Sequence, residues 1–246
     1  MSARPAPGWL TQWEYAHRGL HGPGADGLVP ENSLAAARGA IARGMGIECD
    51  IQMSGDGEPL VFHDWDLPRL TGAEGLVARH TAEAVLALRL LRTDQRPPRL
   101  ADLLAAVAGA VPVLIEVKSM PFYAVEAACR AVAAGIADYQ GDVAVMSFDP
   151  RVPEWFAGHA PQIARGLVGT DTLENGFKGE WRKAQALAAA QPDFLAIDVR
   201  DLHRAEAAAW RAGGRPLLTW TVRSPETRAT GLALADALIA EGAGLA

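Results

Sequence analysis

His17-Arg18-Gly19 sets an imidazole beside a guanidinium where a short apolar stretch gives way to a loop. An imidazole there can move a proton near neutral pH, and the guanidinium can hold an anion in fixed geometry. Alone, the tripeptide suits a surface loop equally well. In Gly46-Ile47-Glu48-Cys49-Asp50-Ile51 the two carboxylates stand two residues apart. In a strand Glu48 and Asp50 would share one face, leaving Ile47, Cys49 and Ile51 to an apolar layer. Two inward carboxylates repel each other and lose hydration unless a cation compensates, and such oxygen donors suit Mg²⁺, Ca²⁺ or Mn²⁺. A solvated sheet rim without metal is the competing reading. Leu114-Ile115-Glu116-Val117-Lys118 repeats the pattern. Glu116 can complete an oxygen cage and Lys118 can bind a phosphoryl oxygen, or the two can form a barrel-core ion pair holding no ligand. His63-Asp64 ends the run Pro59-Leu60-Val61-Phe62 and supplies the second imidazole that paired acid–base chemistry requires. His80, His159 and His203 lie in helical or loop patterns without acidic companions and read as surface or packing residues. His21, just past His17, fits either role.

These groups need rigid elements to aim them. Runs rich in Val, Ile and Leu near Trp13–His17, Ile47–Met53, Val113–Val117, Val143–Ser147, Ala164–Val168, Phe194–Val199, Pro216–Val222 and Ala237–Ile239 alternate with alanine-rich segments of helical period. The helical segments fall near Ser33–Arg43, Arg99–Ala108, Tyr123–Ala134, Val152–Gly158, Lys183–Ala190, Ala205–Ala212 and Glu226–Ala235. Such alternation predicts a parallel sheet with crossover helices, and eight strands in this length fit a closed (β/α)₈ TIM barrel, whose active sites lie at the C-terminal ends of the strands. Asn32 or Ser33 is expected to cap the first helix, and Ser224-Pro225 the last. The irregular stretch from Trp65 to Pro98 reads as an elaboration after the second strand, too short to bury a core of its own. Residues 1–246 thus read as a single domain.

Composition narrows the partners. Half of the 246 residues are hydrophobic and 21 % charged, which excludes a disordered chain. The 29 acids outnumber 23 Lys and Arg for a formal charge of −6, so nucleic acid is not expected as a partner. Two cysteines, Cys49 and Cys129, both in apolar stretches, are too few for a disulfide framework. The N-terminal stretch lacks an apolar h-region, and no apolar run reaches the length of a membrane span. A cytoplasmic protein without integral membrane association is expected; no motif sets an oligomeric state.

In order along the chain come HRG, Pro30-Glu31-Asn32-Ser33, E-x-D, His63-Asp64 and E-x-K. On that ordered pattern the sequence resembles the glycerophosphodiester phosphodiesterase family. The likeness continues through Leu67-Pro68-Arg69-Leu70-Thr71-Gly72, Ser147-Phe148-Asp149-Pro150 and Trp220-Thr221-Val222, covering Tyr15 to Val222. It implies a TIM barrel that hydrolyses glycerophosphodiesters to glycerol 3-phosphate and an alcohol with one divalent cation, Mg²⁺, Ca²⁺ or Mn²⁺. It further implies His17 and His63 as the acid–base pair, Arg18 and Lys118 on the phosphate, and Glu48, Asp50 and Glu116 on the metal. Glu31 would stand at or next to the metal, and Trp220 in the substrate pocket. The chain departs from the family at Arg223, where Asn is common, and in a reduced closing strand, Leu234 to Glu241, so the last loop is not expected to contact substrate. Two rivals share these residues: a phospholipase D-type enzyme releasing cyclic phosphate from lysolipids, and a non-catalytic phosphate-ligand-binding barrel. Enzymes of the first type are secreted and disulfide-bonded, which a chain with two cysteines and no apolar h-region fits poorly, and an intact set of histidines and carboxylates disfavours the second.

Overall fold

A computed structural model describes residues 5–24, 27–172 and 176–246. The first four residues of the proline-containing N-terminal stretch lie outside the described residues. The apolar runs become eight strands, β1 (Tyr15–Ala16), β2 (Gly46–Met53), β3 (Val113–Val117), β4 (Val143–Ser147), β5 (Ala164–Gly169), β6 (Phe194–Asp198), β7 (Leu217–Val222) and β8 (Ala237–Ala240). Every neighbouring pair is parallel, and β1 pairs with both β8 and β2, which closes the ring. The expected (β/α)₈ barrel is the observed fold. Seven helices cross between strands: α1 (Leu34–Ala42), α2 (Leu100–Val107), α3 (Val125–Ile136), α4 (Arg151–His159), α5 (Ala184–Ala190), α6 (Ala205–Ala212) and α7 (Pro225–Leu234). A short 3₁₀ turn, Gly242–Gly244, follows β8.

Period-2 alternation divides each strand between two apolar layers. Outward residues Ile47, Cys49, Ile51, Val113, Ile115 and Val145 pack under α1 to α4, and Cys129 of α3 joins the same layer. Inward residues Tyr15, Leu114, Ala144, Met146, Val168, Phe194, Ala196, Leu218 and Ile239 fill the barrel itself. Two rings make its lower layer, and neighbouring strands leave room for them. A Cβ on Gly46 would meet the Tyr15 ring at 2.5 Å, and one on Gly166 the Phe194 ring at 2.4 Å. With the lower barrel packed solid, polar inward residues are left only for the C-terminal mouth. Both thiols are free and buried away from it. A Cys49→Ala, Cys129→Ala double variant is therefore expected to keep turnover and to lose about 1–2 kcal/mol of unfolding free energy through packing. Denaturant unfolding and a rate assay check both halves.

Helix starts follow the expected chemistry, with one change. Ser33 Oγ accepts from the Ala36 N–H and caps α1, while Ser224 and Thr227 form a capping box ahead of Pro225. Asn32 is not the cap: it sits at φ +57° and turns its side chain toward the barrel. The segment after β2 departs further from expectation. A strand at Pro59–Val61 returns antiparallel on β2. With short helices Pro68–Thr71 and Ala82–Leu86, it encloses an apolar cluster of Leu60, Phe62, Leu67, Leu70, Val77, Ala82, Val85 and Leu90. The segment therefore does bury a small core, because the hairpin supplies a wall that counting residues from Trp65 omits. Among the described residues no helix is long and apolar enough to cross a membrane.

Candidate active site

The register of β2 against β3 sets Asp50 beside Glu116 and Glu48 one inward position below. Ligating oxygens of Glu48, Asp50 and Glu116 lie within 4.8 Å of one another, and all three residues are buried. Lys118 Nζ bridges Asp50 Oδ1 and Glu116 Oε1, each at 2.7 Å, so the ion pair weighed from sequence exists and also reaches Asp50. The Arg18 guanidinium stands 3.2 Å from Asp50 Oδ2, and the Arg18 backbone N–H donates to Glu48 Oε2 at 3.0 Å. Arg18 takes φ +56° to do this, a conformation costly for a side-chain-bearing residue. Burial and the neighbouring Asp50 and Glu116 charges push the Glu48 carboxyl well above the usual range. Asp50 moves the opposite way: burial would raise it, but Lys118, His63 and Arg18 outweigh burial and hold it low. Lys118 is raised, since Asp50 and Glu116 overcome its desolvation. Three buried, mutually repelling carboxylates with only oxygen to offer fit a hard divalent cation. Glu31 is not part of this cage. Its carboxylate takes Arg18 Nη1 at 2.7 Å and Arg69 at 2.8 and 2.9 Å.

Each histidine is held at Nδ1 by a carboxylate. His17, carried at the end of β1, faces Glu241 directly after β8. A carboxylate can only accept, so Nδ1 bears the proton and Nε2 keeps its lone pair. Glu241 also meets His21 Nε2 at 3.3 Å and Arg223 Nε at 2.6 Å. Burial would raise it, but the histidine and arginine hydrogen bonds hold it well below the carboxylate range. His63 Nδ1 lies 2.7 Å from Asp64 Oδ1. Asp64 is clamped in turn by Arg69 Nε at 2.6 Å and Nη2 at 2.8 Å. Arg69 thus ties the His63 carboxylate to Glu31, and Glu31 to Arg18. Asn32 closes the set from below, donating to Asp50 Oδ2 at 2.8 Å and accepting from the Asp50 N–H at 3.2 Å. His80, His159 and His203 lie outside the cavity, and His159 stacks on Trp155 with ring centroids 4.5 Å apart.

Burial pushes the His17 imidazole down to about 4, against the upward pull of its Glu241 hydrogen bond. A folded value below the ~6.5 of a free imidazole means that the unfolded chain takes up a proton the folded chain refuses. The stability tied to neutral His17 is complete above about pH 6.5 and is lost as pH falls toward 4. Between those limits the wild type is expected to lose about 3 kcal/mol more than His17→Gln, measured by urea unfolding at each pH. Equal losses would mean that His17 is protonated in the folded state.

Both histidines, Arg18, Lys118, Glu48 and Glu116 line one cavity of about 880 Å³ at the C-terminal mouth. Trp220 lines it too, fixed by its indole N–H to the Ala196 carbonyl at 2.9 Å and edge-on to Phe148 at 5.3 Å. Sequence reading missed Asn32, Asp64, Arg69 and Glu241 as partners of these groups. It also set aside the last loop, yet Glu241 reaches His17 and Arg223 lines the cavity.

Fold and site together define a (β/α)₈ barrel with an acidic cluster that could hold a cation and two imidazoles gathered at one opening. The sequence profile of the glycerophosphoryl diester phosphodiesterase family matches residues 17–241, and the chain belongs to that family. Among curated relatives, a glycerophosphodiester phosphodiesterase of Caldanaerobacter subterraneus is 43 % identical over 58 residues, 23 % of this chain and 24 % of that protein. One of Bacillus altitudinis is 41 % identical over 70 residues, 28 % of this chain and 26 % of that protein. The chain thus spans about a quarter of the length of these curated relatives. The fold matches an Oleispira antarctica phosphodiesterase solved with the product sn-glycerol-3-phosphate, at TM-score 0.78 and 22 % identity over 96 % of this chain and 93 % of that one. It also matches the Thermotoga maritima glycerophosphodiester phosphodiesterase, at TM-score 0.72 and 22 % identity over 92 % of each chain.

Proposed function

We propose that the protein hydrolyses glycerophosphodiesters to glycerol 3-phosphate and an alcohol, as one domain and in a reducing, cytoplasmic compartment. The observation that carries this reading is the placement of two carboxylate-held imidazoles on one cavity with the acidic cage. Family membership and the product bound by the Oleispira relative support it, and two buried free thiols support the compartment.

A diester monoanion needs positive charge around it, and Arg18 and Lys118 supply two such groups at the cavity wall. Glu48, Asp50 and Glu116 would hold Mg²⁺, Ca²⁺ or Mn²⁺, which when bound supplies Lewis-acid polarisation of the phosphoryl group. His17 is the base. Burial keeps it neutral, Glu241 fixes the proton on Nδ1, and Nε2 is left to take a proton from the attacking oxygen. His63 is then the acid, donating from Nε2 to the departing alkoxide while Asp64 and Arg69 keep its ring in place. Arg18, by holding both Glu31 and Asp50, couples the orientation of the two halves. Glycerophosphocholine incubated with the purified protein and each divalent cation in turn is the test. Equal release of choline and glycerol 3-phosphate, abolished by EDTA, is expected. Tight binding of the diester without release of either product would replace the hydrolase with a ligand-binding barrel.

A further inference from the structure

The cavity of about 880 Å³ is far larger than a glycerol and a phosphate require, and it approaches the upper end of the ~300–1,000 Å³ of ligand pockets. The groups given chemistry above are carried by β1, β2, β3 and the segment after β2. The same cavity is also lined by an apolar wall of Trp65, Met146, Phe148, Val168, Phe177 and Trp220. Three loops meet to build it: Trp65 packs edge-on against Tyr123 with centroids 5.7 Å apart, and a Cβ on Gly176 would touch Pro121 at 2.7 Å. Between those two contacts the middle loop lifts Phe122 wholly into solvent, with Met120 beside it 40 % exposed. Apolar side chains therefore stand both in the cavity and on the loop beside it.

The charge around the wall decides what it receives. Its buried carboxylate, Asp198, is already taken by Arg200 Nε at 2.9 Å and Nη2 at 2.6 Å, and by Thr170 and Thr172 at 3.2 and 3.3 Å. Glu241 is held by Arg223, and Asp64 by Arg69. Asp66 stands at the exposed rim, in water. Arg200 and Arg223, both lining the cavity, are the arginines so engaged. A cationic alcohol such as choline would thus find aromatic rings but, in the wall, only carboxylates that already carry an arginine, whereas a hydrocarbon gives up no ionic partner there.

We propose that the apolar wall and its rim receive one uncharged hydrocarbon chain, so that the substrate class is glycerophosphodiesters carrying such a chain on the departing alcohol or on the glycerol. The inference rests on the phosphodiesterase reading above. The reaction is unchanged: a P–O bond forms to the attacking oxygen, the P–O bond to the alcohol breaks, and the departing oxygen takes a proton. Burying a methylene against this wall in the transition state raises kcat/KM by roughly fourfold.

Two series of soluble substrates test it against glycerophosphocholine. One carries ethyl, butyl or hexyl as the departing alcohol, and the other carries acetyl, butanoyl or hexanoyl on the glycerol of glycerophosphocholine. In at least one series kcat/KM should climb on the order of 10²-fold from the shortest chain to the longest, and the series that climbs shows which end faces the wall. In Phe177→Ser the climb per methylene should shrink toward onefold. Flat series in both arms, with glycerophosphocholine turned over, would overturn the inference and leave the phosphodiesterase reading standing. No turnover of any substrate, glycerophosphocholine included, would overturn both.

Discussion

Glu48→Gln, Asp50→Asn and Glu116→Gln are each expected to lower kcat/KM on the order of 10³-fold, the loss of several kcal/mol of transition-state charge stabilisation. Their effects on stability without metal should differ in sign. Glu48 is destabilised as a carboxylate by burial and by Asp50 and Glu116. Its neutral isostere relieves that repulsion, so Glu48→Gln in EDTA should unfold no earlier than the wild type. Asp50 carries Lys118 at 2.7 Å and Arg18 at 3.2 Å, and Asn32 besides. Removing its charge takes one carboxylate partner from two largely buried cations, which keep Glu116 and Glu31, and is expected to cost about 1–3 kcal/mol. Calorimetric titration with Mg²⁺ or Mn²⁺ should show weakened binding for all three. An active wild type in EDTA, or a Glu48→Gln variant with undiminished turnover, would remove the cage from the reaction.

The two histidines should part company when the leaving group changes. An alkoxide departs poorly without a proton, while a nitrophenolate needs none. The contribution of the acid, about 10²–10⁴-fold, should therefore appear on glycerophosphocholine and largely vanish on a glycerol-linked nitrophenyl diester. His63→Ala is expected to follow that pattern. Arg69→Ala should follow it in weaker form, because it frees Asp64 without deleting the imidazole. His17→Ala should stay impaired on both substrates, since the attacking oxygen must lose its proton in either case. Equal defects on both substrates for both variants would leave the histidines as phosphate-positioning groups.

Much of the barrel was legible because strands alternate their faces: Ile47, Cys49 and Ile51 against Glu48 and Asp50 read as a strand with one apolar and one polar face, though a solvated rim fitted the polar face equally well. What local pattern does not carry is register. That Asp50 neighbours Glu116 depends on how β2 slides against β3, 66 positions along the chain. The partners of the histidines were hidden for related reasons. Arg69 reaches Glu31 across 38 residues, and Glu241 reaches His17 across 224. Asp64, adjacent to His63 in sequence, carried the plainest signal. Glu241 also had a cue, an acid immediately after an apolar strand, but that strand is only four residues long and reads as a remnant. Asn32 stands next to a good cap, Ser33, and either residue type suits the position. Only the positive φ and the Asp50 contact separate them.

The most direct measurement is ³¹P NMR of glycerophosphocholine turnover in ¹⁸O-enriched water with Mg²⁺ present. Hydrolysis at phosphorus predicts glycerol 3-phosphate whose phosphate carries one solvent oxygen, with unlabelled choline released in equal amount. Label in the choline, or a cyclic phosphate accumulating as the final product, would contradict it.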